Sequence, residues 1–311
     1  MEASAVVFAY HDVGVRCLSV LLAHGMRVPL VVTHRDDPRE AIWFESVEKL
    51  ARERGLEIAI PDDANEAAFA ERLERIAPDF LFSFYYRSML SPRILATARR
   101  GAYNMHGSLL PKYRGRVPVN WAVLRGERST GATLHEMVEK PDAGRIVDQL
   151  AVPILPDDRA VDVFRKVTVA AEIVLDRALP GLIDGSAKLT DQDLSQGTYF
   201  GGRKADDGRI DWSRGAREIH DLVRAVAPPY PGAFTDLSGA RLRLLRTRLL
   251  GERTLPGPAS LHLDAQGRLI VHCADGGLLQ VLEHDVDGKP ADAEELRKRL
   301  GNGPQPLGAA P

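Results

Sequence analysis

Cysteine is scarce in this sequence, because its 311 residues include only Cys17 and Cys273, far apart in the chain. The two do not form a Cys-x-x-Cys pair, so the sequence excludes a disulfide scaffold and the usual pattern of a structural zinc site. Two isolated cysteines are typical of proteins in a reducing compartment, and we therefore expect a cytoplasmic protein.

Neither sign of charge is in excess, since 41 lysines and arginines accompany 43 aspartates and glutamates and give a formal net charge of −2. Nucleic-acid binding depends on a basic face, so this balance argues against a nucleic-acid partner. The sequence has no apolar run of the ~20 residues that a membrane span needs. It also begins without the basic and apolar regions of a signal peptide, which agrees with the expected location.

Three familiar motifs are missing as well. Gly14 is a lone glycine rather than part of a G-x-G-x-x-G, which weakens a dinucleotide-binding interpretation. Ser108 is not in a G-x-S-x-G elbow, so we expect its hydroxyl to hydrogen-bond the backbone of its own loop. His135 lies next to Glu136, but the other histidines are not at ligand spacing, and we expect no metal.

What the chain does have is an alternation of apolar strand-like segments and segments with helical spacing. This alternation predicts an α/β fold with a parallel, Rossmann-like sheet. The predicted strands are 6–10, 28–34, 56–60, 80–85, 102–105, 131–137 and 149–154. The predicted helices are 15–24, 39–54, 66–76, 92–98 and 158–182.

The pattern changes after residue 195. We predict a first domain over 1–195, a polar, glycine-rich linker over 196–207 and a second, smaller domain over 208–300. In that domain a helix is predicted over 216–227, and strands over 242–250, 269–273 and 278–282 suggest a small barrel. Residues 301–311 are rich in glycine, proline and alanine, and we expect them to be disordered.

A catalytic motif follows the predicted strand at 102–105. Asn104 and His106 are two positions apart, so their side chains point to the same face of a strand. They lie at the carboxyl edge of the sheet, where open α/β folds bind ligands. An asparagine amide can donate to a developing oxyanion, and a histidine can carry a proton near neutral pH. Alternatively, the two side chains could merely cap a turn.

The pattern Asn-x-His-x-Ser-Leu-Leu-Pro at 104–111 resembles the signature of the 10-formyltetrahydrofolate-dependent formyltransferases. The resemblance implies that Asp142, in the segment 140–144, holds His106. It extends over about residues 5–285. Segments 6–12, 82–87 and 110–116 are similar to the formyltransferase domain of bifunctional polymyxin-resistance enzymes, which act in lipid A modification. It also implies that the second domain is an open barrel of the OB type.

The resemblance implies the roles of the site residues as well. His106, Asn104 and Asp142 would be catalytic. Residues matching the folate site are Ser88, Met89, Leu90, Arg116, Val138, Glu139, Lys140, Pro141 and Asp142. Independently of the resemblance, Tyr10, His11 and Asp12 are expected near the sugar nucleotide because they lie at the end of the first strand, and Lys112 and Arg114 because their basic loop could contact its diphosphate. From composition alone, Met89 and Leu90 could equally be core residues, and the basic residues at 112–116 a solvated face.

The expected function is therefore the transfer of a formyl group from 10-formyltetrahydrofolate to UDP-4-amino-4-deoxy-L-arabinose, a UDP-amino sugar. Methionyl-tRNA formyltransferase is the main alternative, because it shares the histidine loop and the segments 211–213 and 230–233. A non-catalytic folate or nucleotide-binding module and a formate-releasing hydrolase are further alternatives. The sequence leaves the exact sugar and the oligomeric state open.

Overall fold

The computed structural model describes residues 3–38, 40–237, 239–301 and 303–308. The chain divides into two compact units. The first unit comprises residues up to Pro118, Ser129–Pro153 and Phe164–Gly201. The second unit comprises Val119–Arg128, Ile154–Val163 and the chain from Gly202 onwards. The predicted limits of the domains stay a prediction.

Strands and helices alternate through the first two-thirds of the chain. The strands are β1 Ser4–Ala9, β2 Arg27–Val32, β3 Ile58–Ala59, β4 Phe80–Phe84, β5 Gly101–His106, β6 Arg114–Gly115, β7 Ser129–Glu136, β8 Ile146–Pro153 and β9 Tyr199–Phe200. The helices are α1 His11–Ala23, α2 Val47–Glu53, α3 Ala67–Ile76, α4 Pro92–Leu95, α5 Pro118–Leu124 and α6 Ala160–Asp184.

The main sheet of the first unit has the strand order β3-β2-β1-β4-β5-β7-β8. Strands β1 to β5 are parallel to one another, which confirms the Rossmann-like prediction. β7 and β8 are antiparallel to their neighbours. The loop 137–145 between them is shorter than the dozen or so residues that a parallel crossover needs, so β7 and β8 must form a hairpin.

Both faces of the central strands are covered. Every residue of β1 and β4 is buried, and Phe8, Leu30, Leu81 and Ile94 lie in one apolar cluster. Parallel strands buried on both faces require continuous apolar sequence, which explains why these strands were predictable. The carboxyl ends of β1, β4 and β5 therefore meet at one edge of the sheet.

One predicted helix is much shorter than expected. α2 begins at Val47, where the Ser46 side chain accepts a hydrogen bond from the Lys49 amide at 3.2 Å and caps the helix. The predicted start, Arg39, lies outside the described residues. Residues 40–46 form a loop instead, which brings Trp43 and Phe44 against His11.

The second unit contains an antiparallel sheet and two further helices. Its elements are α7 Ala216–Val226, β10 Ala233–Leu237, β11 Ala240–Arg253, β12 Ser260–Leu263, β13 Leu269–His272, β14 Gly277–Val286, β15 Lys289–Pro290, α8 Ala293–Leu300 and β16 Gln305–Pro306. The strand order is β10-β11-β14-β13-β12-β16, with β15 beside β14. The sheet curls into an open half-barrel, as predicted.

Two segments are more ordered than predicted. The predicted linker 196–207 contains β9, which pairs in parallel with β6. The expected disorder of the tail is wrong for residues 303–308, because β16 pairs with β12 and Leu307 is buried. Residues 302 and 309–311 of that tail lie outside the described residues. Among the described helices, none is long and apolar enough to cross a membrane.

Candidate active site

His106 and Asp142 meet at the carboxyl edge of the main sheet. His106 is the last residue of β5, and Asp142 lies in the loop between β7 and β8. His106 Nδ1 is 3.6 Å from Asp142 Oδ1, which is an ion-pair distance and longer than a hydrogen bond. The side chains are 7% and 14% exposed, so little water screens their interaction.

The carboxylate of Asp142 is held from several sides. The Gly115 amide donates to Oδ2 at 2.8 Å, and His135 Nε2 is 3.5 Å from Oδ1. Burial alone would raise the pKa of Asp142, but His106 and the hydrogen bond from the Gly115 amide lower it well below its ordinary value. Asp142 is therefore a carboxylate at neutral pH. Its backbone φ is +52°, in the left-handed region.

His106 makes a second contact on the other side of its ring. Nε2 lies 2.8 Å from the backbone oxygen of Tyr113, which can only accept a hydrogen bond. Burial lowers the pKa of His106, while Asp142 and the Tyr113 carbonyl oppose this shift. Because both ring nitrogens face acceptors, the surroundings are suited to stabilise the imidazolium that forms when His106 takes up a proton.

The side chain of Asn104 is oriented by His135, a residue that the sequence suggested only as a possible metal ligand. Asn104 Nδ2 is 3.1 Å from His135 Nε2, and His135 Nδ1 donates to the Glu136 carbonyl at 2.7 Å. In that tautomer His135 accepts one N–H of Asn104, and the second N–H remains for another acceptor. β5 and β7 pair Asn104 with His135. This register is the signal that would have identified His135, and it cannot be read from the sequence.

The loop after β5 is fastened by its own polar groups. The Ser108 hydroxyl donates to the Lys112 carbonyl at 2.6 Å, which confirms its predicted backbone role. Thr133 donates to the Ser108 carbonyl at 2.6 Å, and Gln149 donates to Thr133 at 2.8 Å. A Cβ on Gly107 would overlap the Tyr85 hydroxyl, so only glycine permits this close approach.

The two predicted folate-binding loops differ in exposure. Met89 is 58% exposed, whereas Leu90 is buried in the apolar core. Ser88 is exposed at the same strand end. In the β7–β8 loop, Val138, Glu139 and Lys140 are exposed, and Pro141 is half-buried beside Asp142. The structure therefore gives Leu90 a packing role and leaves the other side chains accessible.

Tyr10, His11 and Asp12 lie in an aromatic cluster at the end of β1. The Tyr10 hydroxyl donates to Asp36 at 2.7 Å, and His11 stacks on Phe44 with ring centroids 3.9 Å apart. Asp12 accepts from the Glu45 amide at 2.7 Å. Burial, followed by the Arg87 cation, lowers the pKa of His11 to about 3. These side chains are already engaged with protein groups.

The basic loop residues have different environments. Lys112 and Arg116 are exposed, whereas Arg114 is 9% exposed on β6. The buried Arg114 Nε has no hydrogen-bond partner within the described part of the chain. Burial of an unsatisfied cationic donor is costly unless something anionic satisfies it.

The site as a whole combines a buried proton carrier, a carboxylate that supports its charged form and an amide donor. This is the equipment of a group transfer in which a nucleophile loses a proton and a carbonyl oxygen gains charge. Within the described ranges, no three His, Cys, Asp or Glu side chains converge as metal ligands would.

Comparison with known proteins agrees with this chemistry. The family model described as Formyl transferase matches residues 19–179. The model described as Formyl transferase, C-terminal domain, matches residues 203–300. Together they cover most of the first unit and most of the half-barrel unit.

Solved structures show the same fold at low sequence identity. An N-formyltransferase from Helicobacter canadensis, in complex with folinic acid and dTDP-3-aminofucose, is 19% identical with a TM-score of 0.72 over 90% of this chain and 99% of its own. WlaRD, a sugar 3N-formyl transferase solved in the presence of dTDP and 5-N-formyl-THF, is 20% identical with a TM-score of 0.69 over 90% and 97%. HypX from Aquifex aeolicus, in complex with tetrahydrofolic acid, is 18% identical with a TM-score of 0.63 over 96% of this chain and 47% of its own.

Proposed function

The chain belongs to the formyl transferase family, and from that premise we propose that it transfers a formyl group from 10-formyltetrahydrofolate to the amine of a nucleotide-linked sugar. The observation that carries the proposal is the convergence of His106, Asp142 and Asn104 at one strand edge. Two structures of similar fold, an N-formyltransferase and a sugar 3N-formyl transferase, were each solved with a folate and a dTDP ligand, which supports the same pair of substrates here.

The surroundings of the site fit a folate. Met89 and Val138 are apolar side chains that are 58% and 41% exposed in the two loops flanking the site. A flat heterocycle needs such apolar walls together with backbone donors and acceptors. We propose that the loops at 88–90 and 138–142 hold the pterin, with the buried Leu90 anchoring the first loop in the core, and that Arg116 binds the glutamate carboxylate. The bound folate would supply the formyl carbon.

The catalytic residues would then divide the work. In neutral His106 the Nε2 proton is donated to the Tyr113 carbonyl, so Nδ1 accepts the proton of the substrate amine as the amine nitrogen bonds to the formyl carbon. The Asp142 carboxylate stabilises the resulting imidazolium. The bond from the formyl carbon to the folate nitrogen then breaks, and the imidazolium gives its proton to the leaving folate nitrogen. Asn104 uses the N–H that His135 does not occupy to donate to the formyl oxygen as its charge develops, which is worth about 10²–10³ in rate.

The acceptor is proposed to be UDP-4-amino-4-deoxy-L-arabinose, and the protein would then act in lipid A modification and polymyxin resistance. The buried and unsatisfied Arg114 Nε supports an anionic acceptor such as a nucleoside diphosphate. Tyr10, His11, Asp12 and Lys112 remain proposed neighbours of the same ligand.

Transfer RNA is less favoured by the charges of the second unit. Five of its arginines have acidic partners: Arg209 with Asp236, Arg214 with Asp211, Arg243 with Asp285, Arg246 with Glu283 and Arg268 with Asp264. A tRNA-binding face would need unmatched cations to exchange for phosphate contacts.

The substrate is tested by product analysis. The protein is incubated with 10-formyltetrahydrofolate and, separately, with UDP-4-amino-4-deoxy-L-arabinose, dTDP-3-aminofucose and initiator Met-tRNA, and the products are identified by mass spectrometry. We expect formylation of the UDP-sugar. Formylation of the dTDP-sugar alone would replace the proposed acceptor, and formylation of Met-tRNA alone would overturn the sugar-nucleotide proposal.

A further inference from the structure

A segment outside the catalytic motif contacts both catalytic loops. We call residues 190–200 the return segment, because it runs back along β8 and ends in β9. Ile146 and Thr190 exchange two backbone hydrogen bonds of 2.8 Å. Gln192 then donates from Nε2 to two carbonyls of the Asp142 loop, those of Asp142 at 3.2 Å and Gly144 at 2.5 Å. These bonds fix the backbone at the residue whose φ is +52°.

The same segment also fixes the acceptor of His106. Thr198 Oγ1 accepts from the Tyr113 amide at 2.8 Å, and the Phe200 ring stacks on the Tyr113 ring with centroids 5.4 Å apart. The carbonyl of Tyr113 accepts the hydrogen bond from His106 Nε2. The position of that carbonyl therefore depends on Thr198 and Phe200.

A third contact orients the amide that binds Asp142. Arg114 and Arg116 donate their amides to the carbonyls of Thr198 and Phe200 at 3.0 and 2.9 Å, and this pairing forms the β6–β9 ladder. Between them, the Gly115 amide is left to donate to Asp142 Oδ2. A Cβ on Gly115 would overlap the Phe200 carbonyl, so the ladder and the glycine depend on each other.

From these contacts we infer that Gln192 and Thr198 are positioning residues for the His106–Asp142 pair. Both act through the backbone of the catalytic loops. Precise placement is worth a great deal in catalysis, because a 1 Å displacement caused by a distant change can cost about 10²-fold in rate. Only the kinetic test of this positioning role rests on the proposed formyl transfer.

The kinetic test uses matched variants of one segment. Gln192→Met removes the donor that contacts the two carbonyls, and Gln196→Met makes the same chemical change at an exposed glutamine that contacts Asp193. We expect Gln192→Met to lower kcat by about 10- to 100-fold with KM for both substrates little changed, and Gln196→Met to have wild-type kinetics. Thr198→Val should lower kcat similarly, and Thr198→Ser, which keeps the acceptor, should restore it.

A second readout does not depend on activity. The pKa of His106 is measured by NMR in the folded variants, with Asp142→Asn as reference. Asp142 and the Tyr113 carbonyl both favour the charged ring of His106, whereas His135 disfavours it. A variant that displaces Asp142 or the Tyr113 carbonyl, and leaves His135 where it is, should therefore lower the pKa of His106. An unchanged His106 pKa and kcat in both Gln192→Met and Thr198→Val would overturn the inference. A wild-type protein without transferase activity would instead refute the proposed function, and the NMR comparison would still decide the positioning role.

Discussion

At the scale of single residues, His106 is subject to opposing influences. Burial removes water from the imidazole and favours its neutral form, whereas Asp142 3.6 Å away favours the charged form. The first influence is the larger, so the pKa of His106 lies below its ordinary value and the ring is neutral at pH 7. A neutral ring beside a carboxylate can accept a proton, and its conjugate acid is stabilised once formed.

Asp142→Asn should move the acidic limb of the kcat/KM profile to lower pH. The carboxylate raises the pKa of His106, so its loss lets that pKa fall further. The maximal rate should fall as well, because the imidazolium loses its counter-charge. Measurement of kcat/KM between pH 4 and 8 checks this. A limb at its wild-type position would rule out Asp142 as the partner of His106.

His106→Ala should lower kcat by about 10²–10⁴-fold while the protein stays folded, since general acid–base catalysis is worth that much. His24→Ala is the matched control, because His24 directly follows α1, 2.8 Å from Asp176 and away from the site. Initial rates and circular dichroism of both variants are compared. Nearly full activity in folded His106→Ala would be incompatible with the proposed mechanism.

At the scale of elements, the two-residue strands β6 and β9 matter more than their length suggests. They hold the Gly115 amide on Asp142. We predict that Gly115→Ala destabilises the protein by at least about 1 kcal/mol, because φ is +96° there and an L-residue pays for left-handed backbone. Activity should fall with it.

Gly201→Ala is the control for this change, since a Cβ at Gly201 meets no atom within 4 Å. Urea unfolding and initial rates of the two variants are measured side by side. Equal stability and activity of Gly115→Ala and Gly201→Ala would show that the β6–β9 ladder does not organise the site.

Elements whose structure is determined mainly by their own residue pattern could be predicted from sequence. The buried run of β4 and the catalytic strand β5 with Asn104 and His106 fall in this class. Elements set by tertiary contacts could not. The short strand β9 is fixed by β6, and the pairing of His135 with Asn104 depends on the register of β7 against β5. The loop 40–46 was mistaken for helix because its aromatic residues pack on His11 instead of following a helical face.

At the scale of the whole molecule, buried neutral histidines couple stability to pH. Burial, followed by Arg87, lowers the pKa of His11 to about 3 and that of His34 to about 4. Both rings accept a backbone N–H, His11 from Asp12 at 2.9 Å and His34 from Arg87 at 3.0 Å. The unfolded chain binds these protons near pH 6.5, whereas the folded chain does not.

Stability should therefore be complete above about pH 6.5 and fall as the pH is lowered towards 4, because the unfolded state takes up more protons in that window. His34→Gln and His11→Asn keep an acceptor without a titrating ring and should each reduce this slope. This change of stability with pH is measured by urea unfolding at pH 7 and pH 5. Equal slopes in all variants would contradict the assignment.

The proposed reaction carries a formyl group from a folate to a sugar amine at His106, Asp142 and Asn104. A ¹³C-labelled formyl carbon, followed by NMR during a single turnover with UDP-4-amino-4-deoxy-L-arabinose, tests it. We expect the label to leave the folate nitrogen and to appear in an amide on the sugar, in the wild-type protein and not in His106→Ala. Label appearing as free formate, or moving equally fast in His106→Ala, would contradict it.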